Sequence, residues 1–99
     1  MSELRLKPKA KHDLQDIWWF IAQDNPNNAD KFIDRIYETL LVLADHPKMG
    51  VKRDEIETGI RSHVIGNYSI FYHPLEAGVE IIRILHSARD IDSFFSISG

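Results

Sequence analysis

Cysteine is absent from this 99-residue chain. Its absence excludes disulfides, thiolate nucleophiles and cysteine-based zinc sites. Small secreted domains commonly depend on disulfides, so their lack points to the cytoplasm. Glycine is scarce: the five glycines are scattered, and none forms a phosphate-cradling loop or a Gly-x-Ser-x-Gly elbow. No apolar run approaches membrane-spanning length, and the opening Met-Ser-Glu-Leu-Arg lacks the apolar stretch of a signal peptide. Positive charge is also short. Twelve Lys and Arg stand against fifteen Asp and Glu, a formal charge of −3, which argues against direct binding to DNA. The histidines His12, His46, His63, His73 and His86 share no ligand spacing, so neither a metal nor another cofactor is expected.

What remains is ordinary globular material, 43% hydrophobic and 27% charged, enough for one domain over residues 1–99 with a single core. Leu4 and Leu6 alternate with Arg5 and Lys7 before Pro8, which reads as a short strand. From Lys9 to about Asp24 the period turns helical, with Ala10, Leu14, Ile17, Trp18 and Ile21 on one face. Asn25-Pro26 ends this helix and starts a second, because Asn caps and Pro suits a first turn. Ala29, Phe32, Ile33, Ile36, Leu40, Leu43 and Ala44 form its stripe, and Pro47 with Gly50 stops it. So short a connection makes the two helices an antiparallel hairpin.

Residues 48–59 read as a loop, with one helical turn near 54–57. Strands follow at 60–65, 68–73 and 79–86. Gly66-Asn67 makes a tight hairpin between the first two, Pro74 ends the second, and the third is apolar on both faces, as befits an interior strand. The predicted fold is α+β: an N-terminal strand, a helical hairpin, a three-stranded antiparallel meander and a short C-terminal tail.

Two features stand out as candidate sites. Arg61 and Arg83 fall within predicted strands, where a charge needs a partner or a solvated face. On the face away from the helices they would gather with His86 or Arg89 into an anion-binding patch. Internal pairing with Glu57, Glu80 or Asp90 is the alternative. The second feature is apolar: Trp19 and Phe20 lie off the core face of the first helix, as do Leu41 and Val42 on the second, which suggests a docking surface. The alternative packs Trp19 beneath the tail, against Phe94 or Phe95.

Several pieces of the chain together resemble the ParE family of bacterial toxins. They are Ala10, Asp13, Leu14 and Ile17; Leu43, Ala44, Pro47 and Gly50; Gly59 and Arg61; Tyr68, Ile70 and Tyr72; and Ile81, Arg83, Ile84, Leu85, His86, Arg89 and Asp90. The resemblance implies the RelE/ParE fold and a toxin encoded beside a ParD-like antitoxin, whose disordered end folds onto the toxin. It also implies that DNA gyrase is the target, reached through contacts such as Arg61, Arg83, His86, Arg89, Phe94 and Phe95. Trp18, Trp19, Phe20, Leu41 and Val42, together with the sheet edge, then become candidate antitoxin contacts. The wider superfamily includes ribosome-dependent mRNA endonucleases of the RelE type, for which Arg61, Arg83 and His86 would supply cationic stabilisation and proton transfer. The tail has no tyrosine, the last being Tyr72, and the chain lacks a ribosome binder's basic excess. Both absences favour the non-nuclease toxin, and a non-toxic antitoxin-binding module is the third alternative.

The modest net charge conceals a division. Residues 13–45 hold seven acids against two bases, whereas residues 4–12 hold four bases and no acid.

Overall fold

A computed structural model describes residues 2–88. In chain order the elements are β1 (Glu3–Leu6), α1 (Pro8–Ala22), α2 (Pro26–Asp45), β2 (Val51–Lys52), β3 (Arg61–Ile65), β4 (Tyr68–Leu75) and β5 (Gly78–His86). The strands form a five-stranded sheet in the order β1-β5-β4-β3-β2. β1 runs parallel to β5, and the other neighbours are antiparallel. The α+β arrangement of strand, helical hairpin and meander is as expected, and the apolar β5 is an interior strand.

Local chemistry sets the element ends. Pro8 and Pro26 occupy the first positions of their helices, where a missing N–H costs nothing. Asn25 caps α2, its side chain accepting from the Asn28 N–H at 3.1 Å. Gly66 takes φ +57° in the two-residue turn between β3 and β4, a backbone conformation that suits glycine there.

The structure corrects three details. A short strand, β2, lies within the segment read as a loop, adding one strand to the sheet. The turn near 54–57 is a single hydrogen-bonded turn, in which the Arg53 carbonyl accepts from the Ile56 and Glu57 N–H groups and no helix follows. β4 also continues through Pro74 to Leu75. β3 begins opposite Tyr72, so beyond that point β4 has only β5 beside it, and proline is tolerated on such an edge.

One face of the sheet carries the helices. Ala10, Leu14, Ile17, Ile36, Leu40 and Leu43 pack there against Ile70, Tyr72, Val79, Ile81 and Ile84. The alternating residues feed a smaller cluster on the opposite face, Ile60, Phe71 and Leu85, flanked by Ile56 and Ile82. The register pairs Phe71 with Arg83 and Tyr72 with Ile81, so Ile82 is an extra residue in β5. This bulge lets the faces of β5 change over beyond it.

Candidate functional site

β5 has nine residues and β1 only four. Beyond Ile81, the partner of Leu6, the edge of β5 has no neighbouring strand among the described residues. α1 starts immediately after β1 and passes alongside this edge. Asp13, buried to 7% exposure, presents its carboxylate there. Its Oδ2 accepts from the Ile84 backbone N–H at 2.9 Å and from Arg83 Nε at 2.8 Å, and its Oδ1 accepts from Arg83 Nη2 at 2.9 Å. One carboxylate thus satisfies a strand N–H and grips a guanidinium at two points. The hydrogen bond to Asp13 holds the Arg83 guanidinium above its usual range despite partial burial. Arg83 is thus paired internally, through Asp13. Glu57 instead bonds His73 at 2.6 Å, and Asp90 lies outside the described residues.

Arg61 turns to another part of the molecule. Its Nη1 donates to the carbonyls of Lys48, at 3.1 Å, and Gly50, at 2.7 Å. Tyr72 completes the lock: its hydroxyl donates to the Pro47 carbonyl and accepts from the Gly50 N–H, both at 2.8 Å. Burial pushes this hydroxyl's pKa above the ordinary tyrosine value. A Cβ on Gly50 would stand 2.5 Å from Tyr72 Oη and 2.8 Å from the Ser62 carbonyl oxygen, so only glycine fits this close approach.

The two arginines therefore do not share a patch. Arg61 is two strands from β5, about 10 Å across the sheet, and reaches for the loop after α2, while Arg83 reaches for α1. His86 lines one groove with Arg83 but not with Arg61; its ring packs edge-on against Tyr68 at 5.2 Å, and its Nδ1 accepts from the Ala88 N–H at 3.1 Å. Arg89, Phe94 and Phe95 lie outside the described residues.

The off-face apolar residues are exposed, at 65% for Trp19, 69% for Phe20, 56% for Leu41 and 45% for Val42. Trp18 is half-buried, and its indole N–H donates to Asp30 at 2.7 Å. That bond sets the tryptophan end of α1 beside the start of α2. Leu41 lies about 16 Å farther along α2 at the usual rise per residue, so the expected single surface is two separate patches. Trp19 and Phe20 line an open groove with Asp13, Asp16 and Gln23 on the helix side and Tyr68, Arg83, Ile84 and His86 on the sheet side. Sequence reasoning missed Gln23, Tyr68 and Ile84. The available signal was strand length, because the short β1 segment cannot cover the long β5. Among the described residues no cluster of three or more His, Asp or Glu side chains could hold a metal ion.

Comparison with known proteins is consistent with this architecture. The family model for the ParE toxin of type II toxin–antitoxin systems matches residues 4–91. Toxin ParE1 of Caulobacter vibrioides is 34% identical over 91 residues, covering 91% of this chain and 94% of that one. Toxin ParE1 of Mycobacterium tuberculosis is 28% identical over 98 residues, covering 92% and 95%. A solved structure described as the chromosomal ParDE system from P. aeruginosa has the same fold, with a TM-score of 0.72 at 24% identity over 87% of this chain and 96% of that one. The chain belongs to the ParE toxin family of type II toxin–antitoxin systems.

Proposed function

We propose that this ParE-family toxin acts in the cytoplasm by binding DNA gyrase and blocking replication, with no bond-breaking chemistry of its own, and that a ParD-like antitoxin holds it inactive. The observation that carries the reading is the engagement of the two strand arginines. Metal-free RNA cleavage by 2′-hydroxyl attack needs a base, a cationic stabiliser and an acid around one phosphate. Arg61 serves backbone carbonyls, Arg83 serves Asp13, and His86 packs on Tyr68. His86 stands as a proposed target contact, together with Arg89, Phe94 and Phe95.

The groove beside Trp19 and Phe20 suits an antitoxin segment that orders on binding and inserts apolar side chains. A partner reaching Leu41 and Val42 as well would have to extend along the hairpin. Among the described residues no helix is long and apolar enough to cross a membrane. Purified toxin should trap gyrase–DNA cleavage complexes, and added antitoxin should abolish them. Cleavage of ribosome-bound mRNA with gyrase unaffected would establish the RelE-type reading instead, and inactivity in both assays with intact antitoxin binding would establish the non-toxic module.

A further inference from the structure

We propose that the β2 end of the sheet is a phosphate-contacting surface, on which Lys48 and Lys52 meet the backbone of duplex DNA held by the toxin's target.

Residues 46–53 carry Lys48, Lys52 and Arg53 and no acid. The fold draws Arg61 into the same strip. Lys52 lies directly opposite Arg61 across β2 and β3, and Arg61 Nη1 donates to the Lys48 carbonyl. Two cations opposite each other on neighbouring strands repel. An anion from outside relieves that repulsion.

The carboxylates close by in the chain are engaged elsewhere. Glu55 accepts from Arg53 Nε at 2.7 Å, Asp54 accepts from the Gly59 N–H at 2.9 Å, and Glu57 bonds His73. Asp45 accepts from the Ser2 hydroxyl. Glu76 lines a groove with Lys48 but forms no ion pair with it. Lys48 and Lys52 are exposed, and among the described residues no carboxylate lies within ion-pair distance of either. Ammonium groups of this kind bind phosphate as point charges.

Charge, rather than backbone pairing, selects the occupant. A strand of two residues offers too few main-chain hydrogen bonds to anchor an added strand. A duplex instead presents a regular row of phosphates to whatever cations face it. The chain's net charge of −3 keeps its hold on free DNA weak. A duplex already fixed by the target raises the local concentration of phosphate at this surface, and to that extent the proposal rests on the gyrase reading.

The test measures binding of a short fluorescent DNA duplex to the full chain by anisotropy at several salt concentrations. The double variant Lys48→Gln, Lys52→Gln is compared with the double variant Lys9→Gln, Lys11→Gln. The parent should bind weakly at low salt. The first variant should bind at least about tenfold more weakly, with a salt slope shallower by about two. It should melt no lower than the parent, because the repulsion between Lys52 and Arg61 is gone. The second variant should bind like the parent. With gyrase present, the first variant should trap the same amount of cleaved DNA only at about tenfold higher concentration. Four results would overturn the proposal: no duplex binding by the parent, unchanged binding by the first variant, equal loss in both variants, or undiminished trapping by the first variant. Duplex binding through Lys48 and Lys52 by a parent toxin that leaves gyrase unaffected would support the surface and overturn the gyrase reading.

Discussion

Arg61 and Arg83 look alike in the sequence, each a cation inside a strand, yet the fold uses them in different ways. Arg83 meets a buried carboxylate at the edge of β5 beyond β1, whereas Arg61 meets neutral carbonyls in the loop that leaves α2. The first arrangement desolvates two opposite charges together, so removing one strands the other. The second adds charge-assisted hydrogen bonds to groups that water otherwise serves. A strand arginine is thus defined by what the neighbouring backbone lacks as much as by the sign of its charge.

The largest expected effect comes from Asp13→Ala, which removes the carboxylate shared by the Arg83 guanidinium and the Ile84 N–H. It should cost about 3 kcal/mol in chemical denaturation. A loss below about 1 kcal/mol would show that the pair is no more than a surface ion pair. Arg61→Ala should cost less, about 1–2 kcal/mol, because the Lys48 and Gly50 carbonyls can turn to water. A cost equal to that of Asp13→Ala would erase the distinction between the two arginines.

Tyr72→Phe removes the other half of the loop lock and should cost about 1 kcal/mol at neutral pH. Its pH dependence follows from the raised hydroxyl pKa. The folded state disfavours the phenolate, so this stabilisation is complete below about pH 10 and is lost as the pH rises past it. The gap between parent and variant should therefore narrow in alkali. Trp19→Glu should change stability least, within about 0.5 kcal/mol for so exposed a side chain, while weakening antitoxin binding about tenfold or more by calorimetry. Unchanged antitoxin affinity would remove Trp19 from the interface.

The helical hairpin was legible because its apolar periods are long and its breaks are marked by Asn25-Pro26 and Pro47. The meander was legible from Gly66 and from the doubly apolar run of β5. β2 was not, since two residues bordered by polar chain carry no period to read. The site was harder to read than the fold. Asp13 belongs to the motif that carries the family resemblance, but sequence cannot show that a residue in the second turn of α1 closes the edge of a strand seventy positions later. The bulge at Ile82 shifts which β5 residues face which side, and strict alternation does not anticipate it. Nor did the off-face positions of Trp19 and Leu41 reveal that an antiparallel hairpin holds them at opposite ends.

The most direct test of this account is gyrase supercoiling with the double variant Asp13→Leu, Arg83→Met, which replaces the ion pair with apolar side chains of similar bulk. If Arg83 belongs to the scaffold, folded double variant should inhibit supercoiling to the same extent as the parent toxin. Loss of inhibition by a folded variant, with parent toxin active, would contradict the account and place the Arg83 charge at the target.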